Sequence, residues 1–217
     1  MIDDAALASS LSSRICHDLA SPIGALGNGV EFLSGRVDDA TREHATKVIE
    51  DSVRQAAARL AFYRAAFGMG GSLGENARLS ELRDMTAAIL QGGRVQLDWE
   101  TGEEEIARGP MRVMLNLVLL GAESLPRGGV LRAGVVANDG ARSASDRMII
   151  VVAEGPMLKL TPRVQALLLN GALPAGEHAM EPKESPALLT HRLAAQIGAQ
   201  LNCAVEDEHV ILAANIS

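Results

Sequence analysis

Aromatic side chains are scarce in this sequence of 217 residues, which holds one Trp, one Tyr and three Phe. Proteins that bind single-stranded nucleic acids stack the bases on aromatic rings, so this scarcity argues against that class. The chain also lacks an excess of positive charge, because 27 acidic residues outnumber 20 basic ones and give a formal net charge of −7. Neutralising nucleic-acid phosphates requires clustered Lys and Arg, so we expect no DNA or RNA partner.

Cysteines and long apolar runs are scarce as well. Cys16 and Cys203 are too few for a disulfide framework and lack the spacing of a metal site. No run approaches the roughly 18 apolar residues of a membrane span. The acidic start, 1–4, differs from the basic start of a secretory signal. These features predict a soluble cytoplasmic protein with no membrane partner.

Two long helices are predicted in the first 67 residues. Apolar residues recur every three or four positions between Leu7 and Leu33, and Gly35 is expected to end this helix. A second stripe between Ile49 and Phe67 has the alternating spacing of a coiled-coil seam. Because an antiparallel pair of this length cannot enclose a core alone, we expect a second copy to complete a dimeric four-helix bundle.

The pattern changes after a glycine-rich connector, Gly68–Gly74. We therefore predict a helical hairpin domain at 1–70 and a second domain at 71–217. The second part alternates short strands with helices, so the fold class is α+β, with an α/β sandwich whose helices cover one sheet face. Ser80 is expected to cap the first of these helices. The predicted strands lie at 95–99, 130–136, 148–152, 201–205 and 210–214, and the predicted helices at 80–91, 109–125, 162–170 and 186–197.

One histidine of the first helix is a candidate functional residue. At about 100° per residue, His17 lies opposite the apolar stripe and faces solvent, where its imidazole can act as a nucleophile. Asp18 can orient the ring or take its proton, and Arg14 can meet a phosphoryl group, although a surface salt bridge explains Arg14 equally well. The face around His17 is small and polar, and consists of Ser10, Ser13, Arg14, Ser21, Gly24 and Asn28.

Pro22 strengthens this interpretation. A proline inside a helix removes a hydrogen bond and costs about 3 kcal/mol, so its presence indicates that a kink is useful there. A surface histidine without a function is the simpler explanation, and it is the one that we give to the other four histidines: His44, His178, His191 and His209.

The segment from His17 to Pro22 resembles the phosphoacceptor box of sensor histidine kinases. In that family an acidic residue follows the histidine, and a proline follows five positions on. The box lies on the first helix of a dimeric hairpin bundle, called the DHp domain, which precedes an ATP-binding α/β sandwich. Because the same order is predicted here, the resemblance spans nearly the whole chain.

The second domain departs from the kinase pattern in three places. The segment 116–129 resembles the kinase N box and its Gly-Gly turn, but Leu120 replaces the Asn that holds magnesium, and an aliphatic chain cannot ligate a hard cation. Ala153 and Met157 replace an Asp and a Gly of the adenine-binding strand and loop. The segment Glu181–Ala187, with two prolines, replaces the glycine-rich lid. These losses predict a domain that binds no nucleotide.

The combination is similar to the ChpT-type histidine phosphotransferases of alphaproteobacterial phosphorelays. This resemblance implies that phosphoryl groups arrive from the receiver domain of a hybrid kinase (CckA-like) and leave to response regulators (CtrA-like and CpdR-like). We expect His17 and Asp18 to be catalytic. No cofactor is expected, since a receiver supplies its own aspartate and Mg²⁺. The receiver-docking face is expected to include Ser13, Arg14, Ser21, Gly24 and Asn28.

Two other functions stay open. An ATP-dependent sensor kinase would bind Mg-ATP, which Leu120 and Ala153 disfavour. A non-catalytic pseudokinase scaffold would bind receiver domains without carrying phosphate on His17. The favoured hypothesis is a phosphohistidine carrier with no ATP-dependent kinase activity of its own.

Overall fold

A helical hairpin forms the N-terminal part of the molecule. Helix α1 spans Asp4–Ser34 and helix α2 spans Asp39–Ala66. The carboxylates of Asp3 and Asp38 cap them, each accepting a hydrogen bond of 2.7 Å from the backbone N–H three residues later. The computed structural model that gives this fold describes residues 2–35, 37–68, 75–100, 105–137 and 147–216.

A five-stranded sheet with helices follows the hairpin and confirms the predicted α/β sandwich. Its elements are β1 (Asn76–Arg78), α3 (Leu79–Leu90), β2 (Val95–Glu100), β3 (Glu105–Ala107), α4 (Arg108–Glu123), β4 (Gly129–Ala137), β5 (Arg147–Glu154), α5 (Pro162–Asn170), α6 (Ser185–Gln196), β6 (Gln200–Val205) and β7 (His209–Ile216). The order of the strands in the sheet is β2-β4-β5-β7-β6, and of its neighbouring pairs only β2 and β4 are parallel. A separate antiparallel pair, β1 with β3, was not predicted.

The helices cover one face of this sheet. Alternate residues of its three central strands are buried against them, for example Leu131, Val151 and Leu212, none of which is exposed to solvent. The residues between them on the same strands, such as Val152 and Ile211, stay partly accessible on the other face. This alternation is what a sheet with one covered face requires, and it agrees with the predicted layer arrangement.

The hairpin and the sandwich share one hydrophobic core at the end of α2. Phe62 and Ala66 are fully buried in the same cluster as the apolar residues of α4. Asn116 of α4, also fully buried, donates its side-chain amide to the carbonyl of Ala66 at 3.0 Å. Arg112 donates to the carbonyl of Phe67 at 3.0 Å. These bonds pair two of the carbonyls left without helical partners at the C-terminal end of α2, and they hold α2 against α4.

Helix α1 continues through Pro22, and a side chain of α2 binds the carbonyl that the proline leaves without a helical partner. A helical N–H at position 22 would donate to the carbonyl of Asp18, and proline has no N–H. The guanidinium of Arg59, on α2, donates to that carbonyl instead. The proline therefore makes a carbonyl available that links the two helices of the hairpin.

The apolar stripes of the hairpin are covered at one end only. Leu7 is buried near the second domain, whereas five large apolar side chains farther along the helices are 48–62% exposed: Ile23, Val30, Phe32, Val53 and Leu60. A surface of this kind on a long hairpin is typical of a helix-bundle interface. Within the described ranges, no helix is long and apolar enough to cross a membrane.

Two details of the second part differ from the sequence prediction. Helix α3 begins at Leu79, so Ser80 lies inside the helix and does not cap it; the N–H of Arg78 instead bonds to the carboxylate of Glu81 at 3.3 Å. A short 3₁₀ helix, Pro182–Glu184, precedes α6. Most of the predicted connector, 69–74, lies outside the described residues.

The bond between Arg59 and Asp18 predicts a non-additive pair of substitutions. Arg59→Met leaves the carbonyl of Asp18 unpaired and is expected to lower the free energy of unfolding by about 1–2 kcal/mol. In a Pro22→Ala background the same substitution should cost much less, since the new N–H at position 22 pairs with that carbonyl. Urea unfolding of the four proteins measures both effects.

Arg54→Met is the matched control, because Arg54 is an exposed residue of α2 that pairs with Asp51. We expect it to change stability by less than about 0.5 kcal/mol in either background. If Arg59→Met is equally destabilising with and without Pro22, then Arg59 does not act through the carbonyl of Asp18.

Candidate functional site

His17 lies on the exposed side of α1, as predicted, with 88% of its side chain accessible. Its Nδ1 is 3.1 Å from Oδ1 of Asp18. An ionised carboxylate can only accept hydrogen bonds, so this contact places a proton on Nδ1 and leaves the lone pair on Nε2. The nitrogen farther from the backbone is therefore the nucleophilic one.

Asp18 is held from three other directions. Its Oδ2 accepts a hydrogen bond from the hydroxyl of Tyr63, and its backbone carbonyl accepts one from Arg59. Nε of Arg14 lies 3.4 Å from the same Oδ2. With both carboxylate oxygens and the carbonyl engaged, Asp18 can fix the orientation of the His17 ring.

Tyr63 contributes a rigid donor to this arrangement. Its ring stacks on Phe67, with centroids 5.0 Å apart and planes at 12°, and meets the edge of Phe62 at 6.1 Å. Burial raises the pKa of Tyr63 to about 12, and the neighbouring Asp18 carboxylate adds to the shift. Tyr63 therefore stays protonated, and remains a hydrogen-bond donor, throughout the neutral range.

Arg14 is not on the exposed face to which the helical pattern assigned it. It is only 6% exposed, because the second domain covers it. Its guanidinium pairs with the carboxylate of Glu123 and donates to the carbonyl of Lys183 at 3.0 Å. The helical spacing was correct, but the side of α1 that carries Arg14 is an interdomain contact.

A groove of about 410 Å³ runs between α1 and the second domain. One wall comes from the hairpin and the other from the end of α4 and the 3₁₀ helix, so the groove combines two parts of the chain that are far apart in sequence. His17 stands at its edge. The lining residues are Ser13, Arg14, His17, Asp18, Glu123, Glu181, Pro182 and Lys183.

The other predicted docking residues lie outside this groove. Ser21, Gly24 and Asn28 are exposed on α1 beyond His17, toward the far end of the hairpin. A side chain at Gly24 would meet nothing within 4 Å, so this surface is open. Their role in docking stays a prediction.

Three residues of the site were not found by sequence reasoning. Arg59, Tyr63 and Glu123 all contact Asp18 or Arg14 from other helices. Tyr63 belongs to the apolar stripe predicted between Ile49 and Phe67, and a buried tyrosine needs a partner for its hydroxyl. That requirement could have predicted a polar contact for Tyr63, whereas nothing in the sequence pointed to the contacts of Arg59 and Glu123.

The three positions at which the kinase pattern has nucleotide-binding residues carry apolar residues in this chain, two of them buried and one exposed. Leu120 is 2% exposed and Ala153 is fully buried, while Met157 lies on the surface. In place of a glycine-rich lid, Glu184 is bound by Arg163 at 2.6 and 2.9 Å. Burial alone would raise the pKa of Glu184, but the bonds from Arg163 outweigh it and the pKa is lowered. Across the described part of the chain, no three His, Cys, Asp or Glu side chains form a metal-binding group.

Comparison with known proteins gives consistent matches. A family model described as the histidine phosphotransferase C-terminal domain matches residues 79–209, more than half of the chain. The protein phosphotransferase ChpT of Brucella abortus is 29% identical over 96% of this chain and 94% of its own. A solved structure of a bacterial phosphotransferase superimposes with a TM-score of 0.81 and 28% identity, over 99% of this chain and 98% of that one.

The raised pKa of Tyr63 predicts a pH-dependent effect of Tyr63→Phe. Below pH 10 the variant loses the bond to Asp18 and should be less stable by about 1 kcal/mol. In the wild type, unfolding between pH 10 and about 12 releases the tyrosine proton, so the stability contributed by Tyr63 declines across that window. Urea unfolding at pH 8 and pH 11 should show the difference between the two proteins shrinking.

Other groups that titrate in this window are common to both proteins and cancel in the comparison. Tyr63 is the single tyrosine of the sequence, so no second tyrosine contributes. A stability difference that is the same at both values of pH would show that the Tyr63 hydroxyl is not protected in the native state.

Proposed function

This chain belongs to the histidine phosphotransferase family, of the ChpT type, and from that membership we propose that it relays phosphoryl groups between receiver-domain aspartates through His17. The family model and both relatives are described as phosphotransferases, which supports phosphotransfer as the activity. The proposal adds the residue, the two kinds of partner and the absence of an ATP requirement.

The observation that carries this proposal is the geometry of the His17 ring. Its side chain is almost fully exposed, so the catalytic face of another protein can reach it. Asp18 holds the Nδ1 side at 3.1 Å. A fixed, solvent-facing nucleophile is what in-line attack on a partner's phosphoryl group requires.

The transfer proceeds in two steps. Nε2 of His17 attacks the phosphorus of a receiver's aspartyl phosphate, forming the N–P bond as the P–O bond to the aspartate carboxylate breaks. The positive charge that develops on the ring is stabilised by Asp18, which lies beside the Nδ1 proton. A second receiver then takes the phosphoryl group from Nε2 onto its own aspartate, and the imidazole is regenerated. Each receiver supplies the Mg²⁺ that offsets charge on the phosphoryl oxygens.

Several features of the second domain support a relay without ATP. The buried Leu120 presents no oxygen to a magnesium ion, and the buried Ala153 presents no acceptor to adenine. The segment before α6 is tied to Arg163 and does not resemble a phosphate-binding loop. We therefore expect phosphate to enter only from a phosphorylated partner.

The partners that we propose follow from the family. The donor is the receiver domain of a hybrid histidine kinase (CckA-like), and the acceptors are response regulators (CtrA-like and CpdR-like). They would dock on the surface of α1 around His17, which includes Ser13, Ser21, Gly24 and Asn28, with the second domain forming the other wall of the groove.

We also propose that the protein is a homodimer. On α1 the exposed Ile23 and Val30 are seven residues apart, and on α2 the exposed Val53 and Leu60 have the same spacing, so each pair lies on one side of its helix. Pairing with the same surface of a second hairpin would bury these four side chains in a four-helix bundle, the simplest closed arrangement of two hairpins.

The relay is tested with two purified receiver domains, one of them carrying labelled phosphate. Wild-type protein should pass the label from the first receiver to the second, and carry it transiently in an acid-labile, base-stable form. His17→Ala should abolish the transfer. His44→Ala is the matched control, since His44 is an exposed histidine of α2, and it should transfer at the wild-type rate.

Each other outcome has a definite meaning. Transfer by His17→Ala would disprove the role of His17. Binding of both receivers without any label on the wild-type protein would identify a non-catalytic scaffold. Labelling of His17 by Mg-ATP alone would identify a kinase.

Dimerisation is tested by placing a charge on the exposed apolar surface. Val53→Asp, at a side chain that is 51% exposed, should convert a dimer into a species near the 22.8 kDa mass of one chain. Val205→Asp, at a side chain 48% exposed on β6, should leave the mass unchanged. Light scattering after size exclusion gives both masses, and a wild-type mass near 22.8 kDa would contradict the dimer.

A further inference from the structure

Glu123, the last residue of α4, reaches from the second domain to α1. Its Oε1 contacts Nη2 of Arg14, and its Oε2 lies 3.5 Å from Nη1, which also donates to the carbonyl of Lys183. Arg14 is 6% exposed, whereas 36% of the Glu123 side chain is accessible. Glu123 therefore lies between the buried guanidinium of Arg14 and the solvent.

Arg14 has a second carboxylate beside it. Oδ2 of Asp18 is 3.4 Å from Nε of Arg14, but the Nε–H is not directed at an acceptor. The contact with Asp18 is thus an ion pair without a hydrogen bond, and Glu123 is the stronger of the two partners.

Because Glu123 is the stronger partner of Arg14, the carboxylate of Asp18 can bind His17 instead of Arg14. Oδ1 of Asp18 stays on Nδ1 of His17, and Oδ2 accepts from Tyr63. A buried arginine that loses one carboxylate binds the remaining one more closely, and two parallel hydrogen bonds are the preferred geometry. Such a pair would occupy both oxygens of Asp18 and draw them away from His17.

We propose that Glu123 is a positioning residue for phosphotransfer: by holding Arg14, it keeps Asp18 on Nδ1 of His17. This inference rests on the proposed role of His17. It gives the second domain a direct part in the reaction, because a side chain of α4 controls the orientation and the tautomer of an imidazole on α1.

The test is Glu123→Gln, which removes the charge while keeping the shape. We expect the maximal rate of transfer from a phosphorylated receiver to fall on the order of 10-fold, with the half-saturating receiver concentration changed less than about twofold. A loss confined to docking would instead raise the half-saturating concentration at an unchanged maximal rate. Glu154→Gln is the matched control: Glu154 is 42% exposed, pairs with Arg132 on the sheet, and should leave both parameters at wild-type values.

A second readout does not depend on phosphotransfer. The ¹⁵N chemical shifts of the His17 ring, measured without a receiver, report which nitrogen carries the proton. The wild type should show the Nδ1–H tautomer, and Glu123→Gln should shift the ring toward a mixture of tautomers. In an Arg14→Met background, adding Glu123→Gln should change neither the tautomer nor the rate, because the inference assigns the whole effect to Arg14.

The outcomes distinguish the positioning role of Glu123 from the proposed function. If the wild type relays phosphate but Glu123→Gln leaves both the tautomer and the rate unchanged, the positioning role is wrong and the proposed function stands. If the tautomer shifts as expected but the wild type relays no phosphate, Glu123 orients the His17 ring as argued, but the proposed function is wrong and the orientation does not serve phosphotransfer. An additive effect of the two substitutions would show that Glu123 acts by a route other than Arg14.

Discussion

The packing of the hairpin against α4 is the constraint on which the geometry of the His17 site depends. Asn116 binds the carbonyl of Ala66, and Phe62 is buried in the core that the two parts share. This contact sets the position of α1 relative to the second domain, and thereby brings the end of α4 beside Arg14. A shift of one helical turn, about 5.4 Å, would separate Glu123 from Arg14 and open the groove.

Most of the fold could be predicted from the sequence because the longer helices and strands each carry a periodic signal of their own. The stripes of α1 and α2 and the strands of the sheet follow repeats that are visible within ten or twenty residues. The pair β1 and β3 was missed, since strands of three residues are too short to show alternation. The prediction of Ser80 as the cap of α3 is wrong, because a serine is also compatible with the first turn and the helix starts one residue earlier, at Leu79.

The site was predicted less completely, for a physical reason. His17 and Asp18 are neighbours in one helix, so local spacing was enough to find them. The contacts that hold Asp18 come from residues 41 and 45 positions away, and the residue that covers Arg14 is 109 positions away. Contacts between residues so far apart in the sequence produce no repeating pattern from which they could be predicted. A helical projection of α1 alone does not include the second domain, and it therefore places Arg14 on the solvent side.

The groove beside His17 also bears on how the proposed relay is timed. In that relay each chain offers one phosphoacceptor, His17, with the groove beside it, so the donor and the acceptor receivers cannot be bound at that histidine together. The proposed relay would then follow a ping-pong scheme, in which one receiver leaves before the next one binds. Short-lived complexes would favour rapid transfer in such a scheme, and an unphosphorylated receiver that stays bound in the groove would act as a competitive inhibitor.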